Sequence, residues 1–245
     1  MSQTKTHFHS IRDNISLTTQ AFIDGVYCDA VDGSQLETSN PATGEIIASF
    51  SHCKAADVDR AVAAGRRVFN EGTWSRSAPE YRKEILLKLA ALIEQNKEEL
   101  AVLESIDAGK TINDCLHEVG TEAPAFFRWY AELADKTFGK IAPTGPDAMA
   151  LIVKEPAGVA GAILPWNFPF LMAVWKIAPA LAAGCSIVVK PAEQTPLSTI
   201  RLGTLLNQAG VPAGVVNILP GLGETAGQAI GRHDDIDTVS FTGST

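Results

Sequence analysis

The sequence predicts an α/β fold in which helices flank a parallel sheet, with N-terminal hairpins and helices before it and a separate β-hairpin excursion between them. Three observations carry this. From Val159 onward, short strand-like runs alternate with helix-length amphipathic segments in βαβαβαβ order, which implies parallel strands joined by crossover helices. Between Val58 and Phe138 the apolar residues recur at helical spacing instead. Nearer the start, Asp24-Gly25 and Asn40-Pro41-Ala42-Thr43-Gly44-Glu45 are turn signals between short alternating runs.

Each element has its own reason. Residues 1–20 mix His, Thr, Asn and charge without the apolar core of a signal peptide, and read as a flexible, loosely ordered tail. Phe22 to Tyr27 alternates around Asp24-Gly25 as a hairpin, and the second turn leads into Ile46 and Ile47, giving a second antiparallel ribbon. Val58, Val62, Val68 and Phe69 share a helical stripe. Ser77-Ala78-Pro79-Glu80 supplies a cap, a Pro in the first turn and a capping-box Glu to a helix whose face is Ile85, Leu86, Leu89, Leu92 and Ile93. Lys97 to Ala108 closes at Gly109, and a further helix is expected over Ile112 to Phe138. In 139–156 a turn at Pro143, Gly145 and Pro146 precedes the strand-like Ala150 to Val153, an excursion from the main body. The sheet region, 157–245, then runs strand Val159 to Leu164, helix Phe170 to Ala183, strand Ser186 to Val189, helix Leu197 to Ala209, strand Val215 to Leu219, helix Glu224 to Arg232 and strand Asp237 to Phe241.

Composition narrows the function classes. The chain has 245 residues and a net charge of -8, and its Lys and Arg are scattered, so the basic footprint of a nucleic-acid binder is missing. Four cysteines without a CxxC pair, together with the absence of a signal peptide, suit a reducing compartment, and the cytoplasm is expected. Ala157 to Trp175 is apolar enough to suggest a membrane span, but Pro165 and Pro169 would interrupt it, so strand, turn and helix is the better parse. His52-Cys53 and Cys115-Leu116-His117 lack zinc spacing, and no metal is expected.

The chemistry gathers where strands end. In an open parallel sheet, ligands collect at the carboxyl ends of strands beside helix N-termini. Four phrases fall at such ends: Ile163-Leu164-Pro165-Trp166-Asn167-Phe168-Pro169, Lys190-Pro191-Ala192-Glu193, Pro220-Gly221-Leu222-Gly223 and Phe241-Thr242-Gly243-Ser244-Thr245. Any one alone reads as loop punctuation; four in register do not. Gly221-x-Gly223-x-x-x-Gly227 is one residue longer than the usual dinucleotide fingerprint and follows the third strand instead of the first. Glu193 can accept hydrogen bonds from a ribose 2′-hydroxyl and Lys190 can donate to ribose oxygens, which favours NAD over NADP; the alternative is a solvated surface pair.

Together the four phrases resemble the cofactor half of the aldehyde dehydrogenase superfamily, over about Phe22 to Thr245. The resemblance implies a variant Rossmann-like sheet within a truncated aldehyde dehydrogenase fold, with NAD as cofactor and NADP possible. It implies cofactor contacts from Ile163, Leu164, Pro165, Trp166, Lys190, Ala192, Glu193, Gly223, Glu224, Gly227, Gln228, Phe241, Thr242, Gly243 and Ser244. Asn167 is similar to the family's oxyanion donor, acting through its side-chain amide, and its plain alternative is a turn-capping Asn. Phe168, Met172 and Trp175 resemble residues that border the aldehyde tunnel, although such a stripe read by itself is core. The 139–156 hairpin resembles an oligomerisation element, so a homodimer or homotetramer is implied for the parent. Arg232 to Asp237 and Ala148 to Pro156 look most like family members acting on amino- or guanidino-substituted butanals, such as γ-glutamylaminobutyraldehyde dehydrogenases.

Cys28, Cys53, Cys115 and Cys185 sit in hairpin, helix or strand contexts that suit structural thiols, and none fits a nucleophile. In the family that thiol and the general-base Glu come after the Phe-Thr-Gly-Ser-Thr phrase. The expectation is therefore the N-terminal, NAD-binding part of an enzyme that oxidises an aldehyde to a carboxylic acid through a thiohemiacetal and thioester, with this chain inactive alone and its last strand edge prone to association. A noncatalytic nucleotide-binding or scaffold protein is the alternative.

Overall fold

A computed structural model describes residues 2–243. Its chain order is α1 (Ser2–Asn14), β1 (Ala21–Ile23), β2 (Val26–Cys28), β3 (Gln35–Ser39), β4 (Ile46–Ser51), α2 (Ala55–Glu71), α3 (Pro79–Gln95), α4 (Lys97–Ala108) and α5 (Ile112–His117). A π-helical turn (Glu118–Glu122) leads to α6 (Ala123–Ala134), β5 (Lys140–Ala142), β6 (Ala150–Ile152), β7 (Val159–Ile163), α7 (Pro169–Ala183), β8 (Ser186–Lys190), α8 (Leu197–Ala209) and β9 (Val216–Ile218). A second π-helical turn (Gly223–Gly227), α9 (Gln228–Arg232) and β10 (Thr238–Phe241) follow.

The main sheet has the order β10-β7-β8-β9-β1-β2. Its first four strands are parallel, as the alternation predicts, and β8 at the centre is buried along its whole length. Side chains of β8 alternate between two cores: Ile187 and Val189 face α3, α6, α7 and α8, while Val188 packs with Val58 and Val62 of α2. Each core thus draws on a helical stripe that the sequence makes visible.

Four details depart from the sequence reading or add to it. The β1–β2 hairpin, whose sheet partner the sequence reading does not specify, adds antiparallel to β9 through Phe22 opposite Ile218. Its turn has positive φ at both Asp24 (52°) and Gly25 (79°), and the Asp24 N–H donates to the buried Asn217 Oδ1 at 2.9 Å, which ties the turn to β9. Residues 2–14 form a helix rather than a loosely ordered tail; it packs on α4, with Phe8 and Ile11 half-buried and His7 hydrogen-bonded to Glu98, contacts that an almost wholly polar segment does not advertise. Ser77 is not the cap of α3, because its Oγ donates to the Trp74 carbonyl and Ala78 takes the cap position. Finally, the helix expected over 112–138 contains a π-helical turn and stops at Ala134, and the helix expected over 224–232 also opens with one.

The excursion is a two-stranded hairpin, Lys140–Ala142 against Ala150–Ile152, separate from the main sheet. Ile141, Met149, Leu151 and Val153 on it are all exposed. Among the described residues no helix is long and apolar enough to cross a membrane, and Ala157 to Trp175 folds as β7, a turn and the start of α7.

Candidate functional site

The carboxyl ends of β7, β8 and β10 and the loop after β9 meet at one edge of the sheet. The ladder continues past the strands there: the Leu164 N–H donates to the Lys190 carbonyl (3.0 Å), Leu219 to Val189 (2.8 Å) and Thr242 to Ile163 (3.1 Å). A Cβ on Gly227 would lie 3.7 Å from Lys190 Cδ and 3.9 Å from Ile163 Cδ1, so the first two phrases and the glycine run that continues the third converge within van der Waals reach. The fourth joins them through Thr242; Ser244 and Thr245 lie outside the described residues.

Gly221 and Gly223 serve different ends. A Cβ on Gly221 would lie 2.6 Å from the Cys53 carbonyl oxygen, and the Cys53 N–H donates to Pro220 O at 2.9 Å, so only glycine lets this loop lie against the start of α2. A Cβ on Gly223 would meet nothing within 4 Å. That position faces open space, with Glu224 and Gln228 exposed beside it.

Lys190 is 2% exposed and donates to Glu193 Oε2 at 2.7 Å. Burial pushes the Lys190 ammonium below its ordinary pKa, and the Glu193 hydrogen bond and charge restore only part of the loss. Burial pushes the half-buried Glu193 upward, but the hydrogen bonds from Lys190 and from its own backbone outweigh it and hold the carboxyl low. The surface-pair alternative does not hold for Lys190. Glu193 and Trp166 line a cleft of about 470 Å³ with Leu36, Thr38, Asp107 and Leu222. Ala192, Leu164 and Pro165 form the buried or half-buried shoulders of these loops.

Asn167 is exposed, and its backbone is held by its neighbours. Thr195 Oγ1 donates to the Trp166 carbonyl at 3.3 Å, Lys110 Nζ to the Asn167 carbonyl at 3.2 Å, and the Met172 N–H to the Phe168 carbonyl at 2.9 Å. The predicted tunnel residues do not share one environment. Phe168 lies under the Lys110 ammonium, which is 3.8 Å from its ring centroid; Met172 is half-buried against the core; Trp175 stacks on Phe126 and borders a second cavity of about 180 Å³ with Gly161, Thr238 and Ser240. Phe241, on the edge strand β10, is exposed.

Residues that the motif reading passed over hold this edge together. Helices α7 and α8 have Phe168 and Pro196 at their N-cap positions, and these offer no capping side chain. Helix α4 supplies the caps from a distance: Glu104 Oε1 accepts from the Phe170 N–H (2.7 Å) and from Ser198 Oγ (3.2 Å), while Asp107 Oδ2 accepts from the Leu197 N–H (2.9 Å). Burial pushes Glu104 up to about 7 and Asp107 up to about 6, their hydrogen bonds offsetting only part of it. The signal was there to be read: Glu104 and Asp107 lie one turn apart on a face shared with Leu100 and Leu103, where a charge is out of place.

Three of the four thiols are buried. Burial pushes Cys53 far above the ordinary range and Cys115 up to about 12, and Cys185 is buried. Half-buried Cys28 accepts from Arg60 Nη2 at 3.7 Å. Among the described residues no three His, Cys, Asp or Glu side chains are grouped as a metal site.

Comparison with known proteins gives a consistent picture. A model of the aldehyde dehydrogenase family matches residues 27–245. The chain is 50% identical over 241 residues to an aminoacetaldehyde dehydrogenase of Pseudomonas aeruginosa, covering 98% of this chain and 49% of that protein. It is 47% identical to the NADP/NAD-dependent aldehyde dehydrogenase PuuC of Escherichia coli, covering 95% and 47%. A crystal structure of γ-glutamyl-γ-aminobutyraldehyde dehydrogenase from Burkholderia cenocepacia superposes with a TM-score of 0.95 at 42% identity, covering 98% of this chain and 48% of that one. The chain spans about half the length of the curated relatives it matches.

Proposed function

The chain belongs to the aldehyde dehydrogenase family, and on that premise we propose that it is the cofactor-binding part of an NAD-dependent oxidation of an aldehyde to a carboxylic acid. The observation that carries the proposal is the convergence of Ile163, the Lys190–Glu193 pair and Gly227 at one sheet edge, where a parallel α/β sheet binds its ligand.

The residues fit a dinucleotide. A carboxylate and an ammonium 2.7 Å apart present an acceptor and a donor to a ribose diol, and the open position beside Gly223 leaves room for phosphate oxygens to approach the backbone. Ile163 to Trp166, Ala192, Glu224, Gln228 and Phe241 to Gly243 surround the same edge and would complete the contacts. When bound, NAD supplies the acceptor for hydride.

Asn167 is the one residue of this chain to which we assign a catalytic role. Its side-chain amide can donate to the oxygen of an aldehyde carbonyl as negative charge develops there. Neither the attacking thiol nor the general base is assigned to this chain; burial pushes the Cys53 and Cys115 thiols up, away from the thiolate that an attack needs. The relatives named for aminoacetaldehyde and γ-glutamyl-γ-aminobutyraldehyde point to an amino-substituted aldehyde as substrate.

Trp166 borders the Glu193 cleft, so titrating the purified chain with NAD while following tryptophan fluorescence tests the reading directly. A saturable change, without NADH formation when an aldehyde is added, is the expected result. No saturable change at millimolar NAD would overturn the cofactor role, and steady NADH production would overturn the assignment of the thiol to another segment.

A further inference from the structure

We propose that Lys110 is the positioning residue for Asn167. The proposal rests on the donor role given to Asn167 above and names what aims it.

Lys110 is itself fixed. It follows Gly109, which ends α4 in the left-handed conformation (φ 71°), and Ser105 Oγ donates to the Lys110 carbonyl at 2.8 Å. The side chain then crosses to the loop after β7, where its ammonium meets three partners of different kinds. One is the Glu118 carboxylate, a side chain only 10% exposed at the start of the first π-helical turn; the second is the Asn167 carbonyl; the third is the face of the Phe168 ring. An ammonium has three N–H donors, and this arrangement gives each a direction.

The consequence falls on Asn167. Three consecutive carbonyls, at Trp166, Asn167 and Phe168, are engaged by Thr195, Lys110 and the Met172 N–H respectively. Of those anchors, the Met172 N–H belongs to α7 itself and Thr195 is a neutral hydroxyl at 3.3 Å. Lys110 alone brings charge, and it grips the residue whose side chain is to be aimed. With the peptide after Asn167 fixed, its side chain departs from a defined Cα direction. A loop that carries two prolines restricts φ but does not by itself orient the intervening peptide planes.

The experiment uses the 245-residue chain, isotopically labelled, with the Asn167 side-chain amide signals identified by their loss in Asn167→Asp. In Lys110→Met those signals should shift or broaden while the backbone amides of β8 stay in place. Lys110→Met combined with Glu118→Gln guards against a lone buried carboxylate unfolding the variant, and should give the same shift; Lys110→Arg should return the signals toward the wild-type positions. Asn167 signals unmoved in both Met-bearing variants would overturn the proposal. A wild-type chain that binds no NAD would overturn the functional reading instead, because the amide signals are read without cofactor.

Discussion

Glu193 accepts a 2.7 Å hydrogen bond from Lys190, an ammonium buried almost completely at the end of the central strand. Gln194 Nε2 donates to the other carboxylate oxygen, Glu193 Oε1, at 3.4 Å, and Glu193 lines the cleft. A 2′-phosphate brought to this carboxylate would meet like charge in a partly desolvated setting. On the proposed role, Glu193→Gln should raise affinity for NADP relative to NAD by about tenfold, equivalent to ~1.4 kcal/mol. Fluorescence titrations with each cofactor measure it, and an unchanged ratio would remove Glu193 from the ribose.

The glycines of the loop after β9 separate stability from binding. Gly221→Ala forces a Cβ to 2.6 Å from the Cys53 carbonyl oxygen, a backbone atom that cannot swing aside. Overpacking of this kind costs about 1–3 kcal/mol. Gly223→Ala points its methyl into open space, so denaturation should be little changed while NAD binds more weakly. Equal loss of stability in the two variants would contradict the division.

Much of this was legible beforehand because β7, β8 and β9 are short, mainly apolar runs with Gly or Pro close to either end, and ligand-binding phrases sit at strand ends by the geometry of the fold. Lys190 and Glu193 could be placed at a strand end from order alone, whereas Gly227 entered as a cofactor contact only with the family resemblance. What could not be read was how segments distant in sequence meet. Nothing local says that Phe22 will extend the sheet beside Ile218, that Phe8 and Ile11 will anchor a polar helix, or that Glu104 will cap a helix beginning 65 residues later at Pro169. The π-helical turn at Glu118–Glu122 is hidden for a related reason: no local residue signal marks the extra residue that such a turn takes in. Lys110 was missed with it.

The two buried caps make stability depend on pH. Glu104 titrates near 7 and Asp107 near 6 in the folded chain, against ordinary values of 4.5 and 3.8. The folded state therefore binds more protons across that interval, so their contribution is full below about pH 4 and is lost as pH rises through 6 and 7. Glu104→Gln keeps an acceptor for the Phe170 N–H and removes the titration. Urea denaturation at a series of pH values should show a shallower decline between pH 5 and 8 in the variant; identical slopes would mean that Glu104 stays ionised.

Asn167→Ala should leave NAD binding by this chain nearly unchanged, because the carbonyls on either side remain anchored. Where the segment works beside a thiol-bearing catalytic half, the same substitution should lower kcat by about 10²- to 10³-fold, the typical cost of losing one oxyanion donor. A matching loss in NAD affinity would instead assign Asn167 to the cofactor.

The β5–β6 hairpin predicts self-association. Two strands alone have two unpaired edges and no core of their own, and such a ribbon is marginal in water. Here it also exposes Ile141 (71%) and Leu151 (64%), which face each other across the ladder, with Met149 and Val153 beside them. Apolar side chains on an open ribbon are covered most readily by another strand. Replacing Ile141 and Leu151 together with Lys places like charges opposite one another and should shift the chain toward monomer, without changing NAD titration or the unfolding of the main sheet. Light scattering coupled to size exclusion over a concentration series reads this. A wild type that elutes as a monomer throughout would show that the hairpin stands free despite its exposed apolar face.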